Sequence, residues 1–326
     1  MTAESSTAQA GARQSRHSER SVAKPRNLSS PAPWQETCLD KLGMTCCRRT
    51  RLGFLAWSAL FIATASVGAA ERKGQIVFSS NRAEQWRIWT INADGSGLKQ
   101  LTEGAEDDND IDPVLSPDGK SILFTSTRGG KPGVWKMAAD GSKPERVCDG
   151  DQAEWSPDAT KIVFRRNERI LTRDLATAAE KTLTPEDFPH CSGPAWSPNG
   201  KTIAFACRWD AGNGLFLVPA DGSGKPAKLY DQQGACEPHW SPDGSLIIYE
   251  TETHIATIAP DGTKNRLVTH FGGVQRYGRF SPDGRWIVFC QGVSERGPWE
   301  LYLIPAAGGS PVKLTEDGSD MYPDWK

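Results

Sequence analysis

Its 326 residues suffice for one large domain or two ordinary ones, and 37 % hydrophobic with 24 % charged residues is the make-up of a soluble globular protein. Thirty-two Gly, 22 Pro and 12 Trp speak against an α-rich fold and suit many strands joined by tight turns. The formal charge is −2, but residues 1–70 hold 9 Lys/Arg against 4 Asp/Glu, which leaves 29 against 36, or −7, for residues 71–326. So acidic a body excludes general nucleic-acid binding, which needs a basic face to displace counterions.

Residues 1–43 are rich in Ser, Ala, Arg and Pro with no apolar period long enough to pack, the composition of a disordered extension. Arg48, Arg49 and Arg51 then precede an uncharged apolar run over 52–67 and the small residues Gly68, Ala69 and Ala70. A basic stretch, an apolar stretch and a small-residue site predict a secretory signal over 44–70, cleaved after Ala69 or Ala70 or retained as a membrane anchor. A start at Met44 would give a normal signal peptide, which makes 1–43 either a polar extension or a misassigned start. The expected location is the periplasm or the exterior, with contact to the membrane only through this segment.

From residue 74 a repeat takes over. Ser116-Pro117-Asp118-Gly119 recurs as Ser156-Pro157-Asp158-Ala159, Ser197-Pro198-Asn199-Gly200, Ser241-Pro242-Asp243-Gly244 and Ser281-Pro282-Asp283-Gly284, at spacings of 40, 41, 44 and 40. Pro presets φ at the first central turn position, and Asp or Asn followed by Gly closes a hairpin. A bulky apolar residue stands before each turn: Leu115, Trp155, Trp196, Trp240 and Phe280. After each turn comes a β-rich run such as Ile122-Leu123-Phe124 or Ile287-Val288-Phe289. A third strand, a second turn such as Asp140-Gly141 or Asp221-Gly222, and a short fourth strand complete each unit. Only the third unit departs, with Asp174-Leu175-Ala176-Thr177 at the second turn.

Four short antiparallel strands in about 40 residues make one propeller blade. The array begins at a second strand, Gln75-Ile76-Val77-Phe78, and ends with Pro323-Asp324-Trp325, a copy of the phrase before the turns. The expected fold is therefore all-β: a six-bladed β-propeller of four-stranded antiparallel blades over 74–326, closed by the C-terminal strand pairing with the N-terminal blade.

The recurring Trp-Ser-Pro-Asp-Gly-Lys phrase, the Ile-x-Phe strand after it and the Leu101-Thr102 blade ending resemble the propeller of the TolB family of periplasmic translocation proteins. The resemblance covers 74–326 and lacks the α/β domain that precedes the propeller in that family. It implies a periplasmic binding protein whose partner is a lipoprotein or the tail of an inner-membrane protein. Similar blades also occur in envelope scaffolds, serine peptidases and sugar lyases, so the repeat specifies architecture more sharply than function.

No Gly-x-Ser-x-Gly nucleophile motif and no P-loop is present. Asp108, Asp110 and Asp112 alternate like calcium ligands, but Pro113 stands where such a loop needs Gly and Gly119 where it needs Glu. No metal or cofactor is expected. Loops that join one blade's outer strand to the next blade's inner strand share one face of a propeller, around the channel mouth. They make an acidic rim, and the candidate binding residues are Asp110, Asp112, Asp149, Asp151, Glu186, His190, Glu237, His239, Arg276 and Asp320. Counting back from the Ser197 turn brings Cys191 opposite Cys207, a candidate disulfide. The expected function is a monomeric, non-catalytic scaffold that engages an envelope protein or peptide at this rim. The alternative is a metal-assisted lyase or hydrolase on an acidic oligosaccharide in the channel. Such a substrate favours a basic lining, which only Arg276 and Arg279 offer.

Overall fold

The computed structural model describes residues 72–326 except Pro189, Asp210, Ala211 and Gln233, with the backbone alone at 209, 212 and 213. The extension expected at 1–43 and the signal or anchor expected at 44–70 lie outside the described residues. Among the described residues there are six four-stranded antiparallel sheets and no helix. Blade one joins the C-terminal strand Asp320–Trp325 to Gln75–Ala83, Gln85–Asn92 and Lys99–Gln100, with Trp325 opposite Ile76. Blades two to six follow in chain order, and their inner strands are Asp110–Leu115, Asp151–Trp155, Cys191–Trp196, Cys236–Trp240 and Val274–Phe280. Closure by the last strand leaves blade one as complete as the others, with the inner edge of Gln75–Ala83 paired like that of every other second strand.

Each turn phrase closes in the same way. The Ser116 hydroxyl donates to Asp118 at 2.6 Å and accepts the Ser121 N–H at 3.0 Å, and the same pair of bonds recurs at Ser156, Ser197, Ser241 and Ser281. The Ser281 hydroxyl, with help from Arg285, draws the Asp283 carboxyl down to about 2. At the irregular turn of blade three, Asp174 takes over by accepting the N–H groups of Ala176 and Thr177. The Leu-Thr ending also has a physical cause. The Thr hydroxyl accepts a third-strand N–H where the outer strand stops, from Ile88 to Thr102, Ile170 to Thr184, Ile255 to Thr269 and Leu301 to Thr315, at 2.9–3.1 Å.

The core lies between blades. Six apolar clusters each join two neighbours, for example Val77 and Ile88 with Leu115, Ile122, Phe124 and Met137. The aromatic residue of every second strand (Phe78, Phe124, Phe164, Phe205, Tyr249 and Phe289) is buried. Trp155 and Trp240 also fasten blades by donating to the Val114 and Ala195 carbonyls of the preceding blade. Burying an aromatic side chain contributes about 1.5–3 kcal/mol, so this interface row carries a large share of the folding free energy.

Candidate binding site in the central channel

All six inner strands break register at one position. Pairing shifts between Ile111 and Val114, Asp151 and Glu154, Ser192 and Ala195, Cys236 and His239, Arg276 and Arg279, and opposite Met321–Asp324 in blade one. The residue inside each shift has positive φ: Asp112 (56°), Gln152 (50°), Gly193 (55°), Glu237 (47°), Tyr277 (55°) and Tyr322 (54°). Each stands four residues before the turn Ser, with Lys326 in the place of that Ser in blade one. A bulge of this kind re-aims a side chain, and five non-glycine residues held in the left-handed region carry real backbone strain.

The strain is held by hydrogen bonds from the neighbouring blade. The N–H of Asp112 donates to Ser79 (3.0 Å), that of Gln152 to Thr125 (3.2 Å) and that of Tyr277 to Glu250 (2.7 Å). These three acceptors each follow the buried aromatic of their strand. In blade three that place holds Arg165, which cannot accept. There the Gly193 N–H turns to the side chain of Gln152 instead, at 3.0 Å.

Within the ring a narrow space, partly open to solvent, is lined by Asp112, Gln152, Glu154, Gly193, Glu237 and Arg279, among others. Three carboxylates thus face one guanidinium. Gln152 donates to Glu237 at 3.2 Å across Gly193, where a Cβ would lie 3.0 Å from the Glu237 carboxylate. His239 reaches Glu154 at 3.5 Å. At the same bulge position in blades six and one, Tyr277 and Tyr322 lie against each other with centroids 4.2 Å apart, planes tilted by 43° and hydroxyls at 3.3 Å, packed on the apolar cluster between those blades. Burial pushes the Asp112 carboxyl up to about 6 against the pull of Arg279, and burial likewise raises the Tyr277 hydroxyl well above its ordinary value.

The expected rim residues divide into groups. Asp112 and Glu237 line the channel and His239 stands beside it. Asp110 and Asp320 are buried instead, holding Arg128 (2.5 Å) and Arg82 (2.6 Å). Each of these arginines also bonds a Ser two residues before it and lies over two rings, Phe78 and Trp89 for Arg82, Phe124 and Trp135 for Arg128. Asp151 grips Arg165 with both oxygens, at 2.7 and 2.9 Å, and Arg276 pairs with buried Glu250 at 3.0 Å. Asp149, Glu186 and His190 are exposed, Asp149 paired with Arg146 and His190 with Glu168. The calcium-like alternation disperses, because Asp108 caps the Ala105 N–H, Asp110 holds Arg128 and Asp112 faces the channel. Among the described residues no three His, Cys, Asp or Glu side chains are grouped to hold a metal ion. Gln152, Glu154, Gly193, Tyr277 and Tyr322 were not expected at the site. The fixed offset of Gln152, Gly193, Tyr277 and Tyr322, four residues before the turn position, is the signal that finds these four, while Glu154 stands two residues before Ser156 and does not share it.

Residues 72–242 match the family described as the TolB beta propeller domain. Among curated relatives, the chain is 37 % identical over 180 residues to uncharacterized protein Atu1656 of Agrobacterium fabrum, covering 52 % of this chain and 59 % of that one. It is 34 % identical over 131 residues to dipeptidyl-peptidase 5 of Porphyromonas endodontalis, covering 36 % of this chain and 19 % of that one. It therefore spans less than two thirds of either relative. Among solved structures, TolB from Acinetobacter baumannii superposes with a TM-score of 0.67 at 20 % identity, over 77 % of this chain and 66 % of that one, which is a likeness of fold. Together with the six closed blades, the family match over more than half of the sequence makes this chain a member of the TolB beta propeller domain family.

Proposed function

We propose that this propeller is a non-catalytic binding module of the cell envelope, exported by its N-terminal segment, that holds a peptide or protein partner at the acidic mouth of its channel. One observation carries the reading: the backbone repeats six times, and the side chains that the repeat turns into the channel are all but one different. Asp112, Glu154 and Glu237 against Arg279 give the lining an excess of negative charge suited to a Lys or Arg side chain or a chain amino group. The carboxylates would repel an acidic oligosaccharide, and Gln152 with Glu237 narrows the space a sugar ring would need.

The test is co-purification of an envelope protein with the full-length chain. Neutralising Asp112→Asn and Glu237→Gln together is expected to reduce recovery of the partner at least tenfold. Neutralising Glu145 and Glu180 on outer strands is expected to leave it unchanged. Equal loss in both variants, or in neither, would remove the channel from the function.

A further inference from the structure

We propose that Cys191 and Cys207 are a disulfide-forming pair that staples the two inner strands of blade four. They are direct cross-strand partners. The Arg208 N–H donates to the His190 carbonyl, while the Cys191 N–H turns away to Glu168 in blade three. That pattern makes Cys191 and Cys207 a non-hydrogen-bonded pair, the arrangement that brings opposite Cα atoms to about 4.5 Å and their side chains closest. A disulfide spans Cα separations of about 4.4–6.8 Å, so the backbone is already in range. The two Sγ atoms lie 3.5 Å apart, and bond formation needs them to close to about 2.05 Å by side-chain rotation.

Among the described residues no other cysteine is within reach of the pair. The other described cysteines, Cys148, Cys236 and Cys290, sit in other blades, each buried in a different interface cluster. Around Cys191 and Cys207 stand Phe205, Phe216 and Trp196, which shield a formed bond from reductant. The same shielding means that oxidation precedes packing. The hairpin joins residues only 16 apart, so its thiols meet while the blade is still open. One thiolate attacks a low-molecular-weight or protein disulfide and forms a mixed disulfide. The second thiolate then displaces the remaining thiol. Two cysteine thiols and one external disulfide thus become one internal disulfide and two external thiols, with no other oxidant required.

The test is refolding of the full-length chain with oxidised glutathione, followed by alkylation in denaturant and non-reducing peptide mapping. The expected result is a linked peptide pair joining Cys191 to Cys207, with Cys148, Cys236 and Cys290 alkylated, whichever state Cys38, Cys46 and Cys47 take. A second readout guards against misfolding artefacts. Reductant present during refolding should lower the Tm of the wild-type protein by about 5–10 °C and leave a Cys191→Ala/Cys207→Ala variant unmoved. Both residues recovered alkylated from the oxidised, folded protein would overturn the proposal. So would a Tm equally indifferent to reductant in the two proteins.

Discussion

The blade interfaces and the channel wall are built on the same sixfold backbone, yet they use it in opposite ways. In the scaffold the side chains repeat with the backbone: a buried aromatic in every second strand and a Ser clasp in all five turns of the repeated phrase, to Asp in four and to Asn199 in the fifth. In the channel the bulge repeats at six positions, but the residues on it are Asp112, Gln152, Gly193, Glu237, Tyr277 and Tyr322. A repeat that serves packing keeps its side chains. At the inner-strand bulge the backbone repeats and the side chains do not, which is the contrast on which the proposed binding role rests.

That contrast can be broken from the scaffold side first. Asp320→Ala leaves the mostly covered Arg82 without its carboxylate, and removing one partner of a buried pair costs up to about 3–5 kcal/mol. The largest loss of stability, read by urea denaturation, is therefore expected at a residue that looks like part of an acidic rim. Thr269→Val keeps the shape of the blade ending but orphans the Ile255 N–H, for an expected loss of about 1–3 kcal/mol. A denaturation midpoint unchanged in Thr269→Val would mean that the recurrent blade-end Thr is not a structural clasp.

The smaller effect comes from the channel. The folded protein raises the Asp112 carboxyl from 3.8 to about 6, so it binds that proton more tightly than the unfolded chain does. Stability from this group is gained as pH falls through about 6 and declines again as pH rises from about 4 to 6. Asp112→Asn removes that dependence. Its Tm should exceed that of the wild type most above pH 6 and converge with it near pH 4, as followed by circular dichroism. A constant difference across this range would show that Asp112 is not held in a desolvating channel.

Much of the scaffold was legible because its determinants are local. The Ser-Pro-Asp-Gly phrase fixes each hairpin within a few residues, but an unbroken count that sets Trp196 opposite Thr202 reaches Cys191 opposite Cys207 only because two offsets cancel: Trp196 pairs with Ile203, and the bulge between Ser192 and Ala195 restores the register. The copied Pro323-Asp324-Trp325 gave the closure that joins Trp325 to Ile76. The channel was less legible for two reasons. Positive φ advertises itself in sequence through Gly or Asn, and only Gly193 among the six bulge positions has that signature. The fate of Asp110 and Asp320 depends on partners from other strands, Arg82 lying 238 residues from Asp320. The repeated Ser80-Asn81-Arg82 and Ser126-Thr127-Arg128 carried that information, because each Arg bonds the Ser before it and the acid of the adjoining inner strand.

The most direct measurement is site-specific photo-crosslinking of the full-length chain in living cells, with the reactive residue placed in turn at channel positions 112, 152, 237 and 322 and at outer-strand positions 99, 145, 180 and 313. A shared crosslinked partner from the channel positions, absent from the outer strands, is the predicted result. Crosslinks confined to the outer strands, or equal from both sets, would contradict a binding function centred on the channel.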